Sequence, residues 1–302
     1  MCFGIRSWRQ PHDNQDRPST RDCTCSSAFT QVGRLVASPL PLLPASAGTG
    51  ACALERSLTE LTVIQQSVLQ QISRLSLPAH ARILDAPCGA PAALSLALKA
   101  KGFTVIGADL DKTAASALGD AFAPVNLNAP LPWADESFDV AISTEGIEHL
   151  ENHFAFLREF RRVLRPNGIL IITTPNITAL RSRVRFLGSG FFGRDGRPLN
   201  ESGHHPLHHI SLATFPELRY ELRVSGLQLL EARHTHIKAV SYLYSIYVPW
   251  MWLYTRIAFR KEKDVAQRQR NREIFRSLFS FSLLFGECLM LISKKPTTGT
   301  RP

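Results

Sequence analysis

Apolar and polar positions form alternating blocks from about residue 58, and these blocks predict helices and strands in turn. Apolar side chains recur every three to four positions over residues 58–75, which predicts an amphipathic helix that ends before Pro78. Helices are also expected over residues 92–101 and 154–164. Short apolar runs predict strands around Ile83, Val105, Val125, Val140 and Ile169. Strands that alternate with helices indicate a doubly wound α/β domain with a mostly parallel sheet.

The alternation changes in the second half of the chain. Residues 177–212 are rich in Arg, Gly, Phe and His, and they predict an irregular insertion that contacts the substrate. A helix over 214–225 and a strand over 227–232 then resume the domain. Residues 282–295 are expected to supply its last strand.

Two further segments differ from the core, which we place at residues 55–238. Residues 1–54 are rich in Pro, Ser and Arg without any periodicity, and they predict a disordered leader. Asp13 and Asp16 argue against a secretory or transit peptide, so a cytoplasmic location is expected. Residues 239–281 are expected to form a hydrophobic and basic helical insertion.

The apolar part of that insertion, residues 239–255, contains seventeen residues without a charge and is rich in Tyr and Trp. Arg256, Arg260 and Lys261 follow it. Aromatic residues followed by cations favour contact with an anionic membrane surface without a span. A buried core or dimer helix is the first alternative. A true span is the second, although the segment is short and Pro249 interrupts it.

Lys and Arg outnumber Asp and Glu by 35 to 25, which gives a net charge of +10. The excess is concentrated in residues 181–197 and 256–276, and such groups attract phosphate. A solvated helix face interleaved with Glu262, Asp264 and Glu273 explains the second group equally well. No nucleic-acid recognition module accompanies the charge, so a nucleic-acid partner is not expected. The six cysteines show no zinc spacing.

Residues 83–111 contain a strand, a turn, a helix and a second strand that ends in an acidic residue. This order fits a nucleoside-binding half-fold. Asp109 follows the turn by about 20 residues, where a carboxylate can accept hydrogen bonds from both ribose hydroxyls. The dinucleotide fingerprint needs three glycines and the turn offers only Gly89, so NAD is disfavoured.

The loop after Ile83 and Leu84 resembles the first motif of the class I S-adenosylmethionine-dependent methyltransferases. The resemblance continues through LPWADESFDV (131–140), STEGIEHL (143–150) and ILIITTPN (169–176), and it is similar to the group that includes the ubiquinone-biosynthesis O-methyltransferases. It implies a seven-stranded, Rossmann-like methyltransferase fold and S-adenosylmethionine as cofactor. Pro87 and Pro91 stand where relatives usually have Gly, whose freedom at positive φ is lost.

The resemblance also implies which residues bind the cofactor. Asp109 would hold the ribose, Asn126 with Leu127 would border the adenine, and Glu145 would face the methyl donor. We expect Cys88 to serve as a small packing residue in the loop. The full implied set is Asp85, Cys88, Gly89, Asp109, Leu110, Asn126, Leu127 and Glu145.

Histidines supply the candidate chemistry. His149 follows the fourth strand where the acceptor should approach, and imidazole accepts a proton near neutral pH, so it is the candidate general base. Pairing with Glu148 or capping of a helix is the alternative. A second group spans residues 204–209, but no carboxylate or Cys pattern beside it supports a zinc site. Substrate contact is preferred there, and no metal is predicted.

Three functions follow from these patterns. The first is O-methylation of a small or lipid-linked acceptor, a glycan sugar or a quinone-like phenol, at a membrane surface, by a chain that could form a homodimer. The second is RNA methylation, which the basic excess allows. The third is a non-catalytic binding protein on the same fold, which the proline at position 91 motivates. The aromatic segment 239–255 favours the first.

Overall fold

A computed structural model describes residues 61–192, 198–202 and 208–297, all within the unit Ser46–Pro302. The predicted leader, residues 1–54, and the histidines at positions 204 and 205 lie outside the described residues.

Seven strands form one sheet in the order β3-β2-β1-β4-β5-β7-β6. Only β7 runs antiparallel to its neighbours, β5 and β6. This is a doubly wound, mostly parallel, Rossmann-like sheet, as the sequence predicts. The strands are β1 (Arg82–Asp85), β2 (Thr104–Asp109), β3 (Phe122–Pro124), β4 (Phe138–Thr144), β5 (Leu164–Pro175), β6 (Gln228–His234) and β7 (Cys288–Lys294).

Nine α-helices are assigned within the described residues, and several confirm predicted positions to within a few residues. They are α1 (Val63–Arg74), α2 (Ala93–Ala100), α3 (Ala115–Leu118), α4 (His153–Val163), α5 (Leu180–Ser189), α6 (Phe215–Val224), α7 (Val248–Phe259), α8 (Val265–Leu278) and α9 (Phe281–Phe285). The 3-10 turns are Lys112–Ala114, Gly119–Ala121, Ile147–His149 and Ala239–Tyr247.

Both faces of the sheet are buried, because successive side chains of a strand point to opposite faces. In β1, Leu84 packs in the apolar cluster that contains Phe156 and Phe160 of α4. Its neighbour Ile83 packs in the opposite cluster, with Ile72 of α1. With the faces filled by helices, the carboxyl ends of the parallel strands remain open to hold a ligand.

Three local predictions differ from the structure in their detail. Val125 follows β3 instead of lying in it, and its N–H donates to the Asp109 carbonyl. The segment 177–212 contains helix α5, so it is not wholly irregular. The last strand begins at Cys288, because the Ser280 hydroxyl accepts from the Leu283 N–H and starts helix α9 where an extended run was expected.

The aromatic segment 239–255 also differs from the expectation. Pro249 does not interrupt a helix but lies in the first turn of α7, where its missing N–H costs nothing. No residue of α7 is buried, which rules out the buried core helix. Among the described residues, no helix is both long and apolar enough to cross a bilayer.

Candidate functional site

A cavity of about 460 Å³ opens at the carboxyl ends of β1, β2 and β4. Its volume lies within the range of small-molecule sites. The fold brings His149 and all eight residues implied for cofactor binding to this one cavity. His208 and Ile210 line it as well, and both belong to the insertion that the sequence analysis expects to contact the substrate. The sequence reading missed Thr62, Gln65 and Val125 as lining residues.

The loop between β1 and α2 is fixed by hydrogen bonds to β2. The Gly89 N–H donates to Asp109 Oδ2 at 2.8 Å, and the Asp111 N–H donates to Asp109 Oδ1 at 3.0 Å. Gly89 has φ of +58°, a conformation that glycine adopts without strain, while a Cβ there would meet no atom within 4 Å. The need for glycine is therefore conformational and not steric. Each Asp109 oxygen keeps a lone pair that a ribose hydroxyl can use.

Asp85 is a buried carboxylate at the floor of the cavity. Its Oδ2 accepts a hydrogen bond from Ser95 at 2.6 Å, whereas Oδ1 has no partner among the described residues. Burial raises the pKa of Asp85 to about 7; the Ser95 hydroxyl opposes that rise and Asp109 adds to it. An unpartnered buried oxygen needs a donor. The cationic amino group of S-adenosylmethionine fits this requirement.

The two prolines of the loop occupy different environments. Pro87 lines the cavity and packs against Gly146, where an added Cβ would come within 2.5 Å of Pro87 Cδ. Pro91 does not line the cavity, and it does not occupy the first position of α2, because Ala92 is the N-cap and the helix begins at Ala93. The first turn of α2 does not line the cavity either.

Other polar side chains of the cavity are also held by local hydrogen bonds. Asn126 Oδ1 accepts from the Asn128 N–H at 2.9 Å and keeps its NH₂ group as a donor. Thr62 and Gln65 reach the cavity from the start of α1, where they form a reciprocal capping box. A Thr followed three residues later by Gln is readable in a sequence, so this helix start could have been found.

The two thiols near the cavity are buried, which favours the neutral thiol over the nucleophilic thiolate. Burial, with Asp85 and Asp109 nearby, raises the pKa of Cys88 to about 12. Cys88 packs with Ala92, Ala114 and Leu118, in keeping with a packing role. Burial raises the pKa of Cys288 well above its ordinary value, and the Glu145 carboxylate adds to the rise. The Cys288 thiol donates a hydrogen bond to Glu145 Oε1 at 3.5 Å, and this contact helps to fix the Glu145 side chain.

His149 also lines the cavity, and one of its ring nitrogens has a defined partner. Its Nδ1 is 3.0 Å from the His208 carbonyl oxygen. Because a carbonyl oxygen only accepts, Nδ1 carries the proton and Nε2 keeps a free lone pair. The partner is therefore His208, and not Glu148 as the alternative reading of the sequence held.

A second carboxylate is buried directly beside His149. Burial raises the pKa of Glu148 to about 7, which the nearby Thr174 hydroxyl only partly offsets. Neither Glu148 oxygen has a hydrogen-bond partner of good geometry among the described residues. The His209 ring packs edge-to-face on the His149 ring, with 4.9 Å between the ring centroids. Burial lowers the pKa of His209, and the nearby His149 lowers it further.

One ligand atom each from Glu148, His149 and His209 lies within 4.8 Å of the others. The expectation of no metal rested on the absence of a carboxylate near the second histidine group, and the fold brings Glu148 there. Two imidazoles and a carboxylate can hold a divalent cation or relay a proton.

Residues 84–172 match a protein family described as a methyltransferase domain. A "probable S-adenosylmethionine-dependent methyltransferase" of Mycobacterium tuberculosis is 36% identical over 98 residues, which cover 31% of this chain and 35% of that protein. A ubiquinone biosynthesis O-methyltransferase of Cereibacter sphaeroides is 34% identical over 128 residues, 38% of this chain and 51% of that protein. The chain thus spans from about a third to about half of these relatives.

A solved S-adenosylmethionine-dependent methyltransferase from Methanosarcina mazei aligns with 74% of this chain and 97% of its own, with 18% identity and a TM-score of 0.45. The family match falls on the segment that builds β1 to β5 and the loops at their carboxyl ends, where the cavity lies. The chain therefore carries an S-adenosylmethionine-dependent methyltransferase domain, and S-adenosylmethionine is the cofactor of that domain.

Proposed function

We propose that the protein transfers a methyl group from S-adenosylmethionine to an oxygen of a small or lipid-linked acceptor, a glycan sugar or a quinone-like phenol, at a membrane surface. The observation that carries the proposal is the free Nε2 of His149 in the same cavity as Asp85 and Asp109. The name of one relative, a ubiquinone biosynthesis O-methyltransferase, supports an oxygen acceptor of the quinone type.

The residues at the ends of β1 and β2 would hold the cofactor. Asp85 would accept a hydrogen bond from its amino group through the unpartnered Oδ1, and Asp109 would accept from its ribose hydroxyls. When bound, S-adenosylmethionine supplies a methyl group that is already activated on a sulfonium. The protein must therefore hold donor and acceptor in line and exclude water.

His149 would remove the acceptor's proton. Its Nε2 would take the proton of the hydroxyl while the acceptor oxygen bonds to the methyl carbon, and the bond from that carbon to the sulfonium sulfur would break with its electron pair left on the sulfur. The His208 carbonyl keeps the Nδ1 proton in place and stabilises the imidazolium that results. Glu145, held by Cys288, would border the reacting methyl group.

The exposed face of α7 supports the membrane location. Trp250, Leu253, Tyr254 and Ile257 follow the spacing of one helix face, and each is more than half exposed. Trp and Tyr favour the boundary between lipid headgroups and acyl chains. An exposed face of this composition would present the enzyme to an amphiphilic acceptor.

Calorimetry with S-adenosylmethionine tests the cofactor assignment. We expect the wild type to bind and Asp109→Ala to bind at least about tenfold more weakly, since hydrogen bonds to a charged group contribute about 1.5–3 kcal/mol. Asp120→Ala removes an acid that does not line the cavity and should bind as the wild type does. No heat with the wild type would support the non-catalytic alternative.

A labelled methyl group identifies the acceptor class. The enzyme is incubated with labelled cofactor and a cell extract, which is then divided into lipid, RNA and water-soluble fractions. The proposal requires label in the lipid or small-molecule fraction. Label in RNA alone would contradict it in favour of RNA methylation.

A further inference from the structure

A second cavity, of about 450 Å³, lies between α7 and α8, away from the residues of the methyltransferase cavity. The floor contains Phe259 and Phe275, whose rings meet edge-to-face at 6.2 Å. Five arginines line it, two from the end of α7 and three from one face of α8. They are Arg256, Arg260, Arg268, Arg272 and Arg276. We call this cavity the arginine groove.

The helices themselves bring these charges together. Arg268, Arg272 and Arg276 are spaced four residues apart, so they lie above one another on one face of α8. Arg256 and Arg260 repeat the spacing at the end of α7. Like charges four residues apart on a helix repel each other. This arrangement is unfavourable unless an anion lies among the arginines.

No protein anion neutralises the groove within the described residues, where none of its arginines forms an ion pair. The three nearby acids are engaged elsewhere. Glu273 pairs with Arg219 of α6, Asp264 caps α8 through the Gln267 N–H, and Glu262 accepts from the Asp264 N–H. The interleaved acids therefore do not account for the charge, as a simple solvated helix face would require.

Parts of the groove are held in position. The Arg256 guanidinium lies over the Trp252 ring at 5.0 Å, and Trp252 packs edge-to-face on Phe275. Arg268 donates to the Lys263 carbonyl at 3.3 Å. A planar guanidinium binds phosphate with two parallel hydrogen bonds, and a positioned one loses less freedom on binding.

We propose that the arginine groove binds a phosphate group, and that this phosphate belongs to the headgroup of an anionic lipid. The choice of a lipid rests on the membrane contact proposed above. The exposed face formed by Trp250, Leu253, Tyr254 and Ile257 is on α7, the helix that also supplies Arg256. An apolar face beside an unpaired cationic groove matches a bilayer surface, with acyl chains beside phosphates.

Vesicle sedimentation of the full chain, without S-adenosylmethionine, tests the inference. Vesicles of phosphatidylcholine are compared with vesicles that also contain phosphatidylglycerol. The groove variant, Arg268→Gln with Arg272→Gln, is compared with Lys261→Gln with Lys263→Gln. The second pair removes two charges from the same segment without touching the groove.

We expect the groove variant to lose about 30-fold in affinity for anionic vesicles, since each basic residue near the surface contributes about 1 kcal/mol. The lysine variant should lose clearly less affinity than the groove variant, because Lys261 and Lys263 do not line the groove and would not contact the phosphate held there. Circular dichroism checks that both variants are folded.

Three outcomes overturn some part of the inference, and they are distinguishable. Equal losses of vesicle affinity in the two variants would show that the positive charge of the whole segment attracts the vesicles. That result would overturn the phosphate site in the arginine groove but not the membrane contact. A wild type that binds no vesicle would overturn the membrane contact as well, leaving methyl transfer untouched. Calorimetry with inorganic pyrophosphate and glycerol 3-phosphate separates the sources: tight binding of either, lost in the groove variant, would overturn the lipid in favour of a free phosphate compound.

Discussion

The methyltransferase cavity and the α7–α8 surface hold their charged groups in opposite ways. In the cavity, Asp109 is tied to two backbone N–H groups, and Asp85 is buried against Ser95. On α7 and α8, the arginines of the groove are exposed and have no ion-pair partner among the described residues. Trp250, Leu253, Tyr254 and Ile257 of the neighbouring apolar face are each more than half exposed. The first region is organised before a ligand arrives, whereas the second would, on our proposal, obtain its partners from outside the chain. Mutations should therefore act differently in the two regions.

The largest expected effect is at His149. His149→Ala should lower turnover by about 100-fold or more while leaving cofactor affinity nearly unchanged, because a general base contributes to proton removal and not to binding. Turnover is measured with the acceptor found by methyl labelling, and affinity by calorimetry. His236→Ala, a histidine outside the cavity lining, is the matched control.

Two results would contradict the assignment of His149. Unchanged turnover would show that no base is needed or that His209 serves. Activity abolished by a chelator and restored by a divalent cation would instead indicate that Glu148, His149 and His209 hold a metal, since their ligand atoms lie close enough.

The second prediction concerns the cost of burying Glu148. Its pKa is raised from 4.5 to about 7, so between these pH values the folded state binds more protons than the unfolded state. Stability therefore falls as pH rises through this window, and it stays reduced above it. The glutamine in Glu148→Gln cannot ionise. The substitution should therefore leave the free energy of unfolding unchanged at about pH 4.5 and raise it by roughly 2–3 kcal/mol at about pH 8.

Urea denaturation across this pH range measures the effect. Glu151→Gln changes an exposed carboxylate and should leave the pH profile as in the wild type. If the stability of Glu148→Gln changes with pH in parallel with that of the wild type, burial of an unpartnered carboxylate at position 148 does not destabilise the folded protein. An unseen cation or water at the cluster would then be the explanation to pursue.

The sequence predicts the cavity better than the surface, for a physical reason. Asp85, Gly89 and Asp109 are close in the chain, and a strand, turn, helix and strand place them together with little freedom. His209 lies 60 residues beyond His149 in the sequence, so it joins Glu148 and His149 only because the chain folds back on itself. Local patterns carry no information on such a contact.

The same limit applies to the C-terminal segment. Its composition predicts a helix with aromatic and basic residues, but not which side chains pair. Glu273 bonds to Arg219 of a distant helix, and Glu287 bonds to both Arg181 and Lys238. Only the fold shows that the acids of α8 are withdrawn from its arginines. The unpaired charge, and with it the groove, is a tertiary property.

A third prediction separates the apolar face of α7 from exposed apolar residues elsewhere. Trp250→Ser with Leu253→Ser should weaken vesicle binding by about tenfold, because part of the roughly 1.5–3 kcal/mol per buried apolar side chain is lost. Tyr220→Ser removes an aromatic of similar exposure from α6 and should have little effect. If all three changes together leave sedimentation unchanged, the face of α7 does not contact lipid.

The smallest expected effect is at Pro91, and it tests whether the cavity tolerates its departure from the family pattern. Pro91 does not line the cavity, so Pro91→Gly should change the affinity for S-adenosylmethionine by less than about twofold while lowering stability by roughly 0.4–1 kcal/mol, since glycine gives the unfolded chain more freedom. Gly146→Ala is the contrasting variant: its Cβ would press on Pro87, which does line the cavity, so cofactor affinity should fall. Calorimetry on both variants decides. A large gain in affinity with Pro91→Gly would mean that the proline restricts the cofactor loop from outside the cavity, and that the organised state of the first region is incomplete.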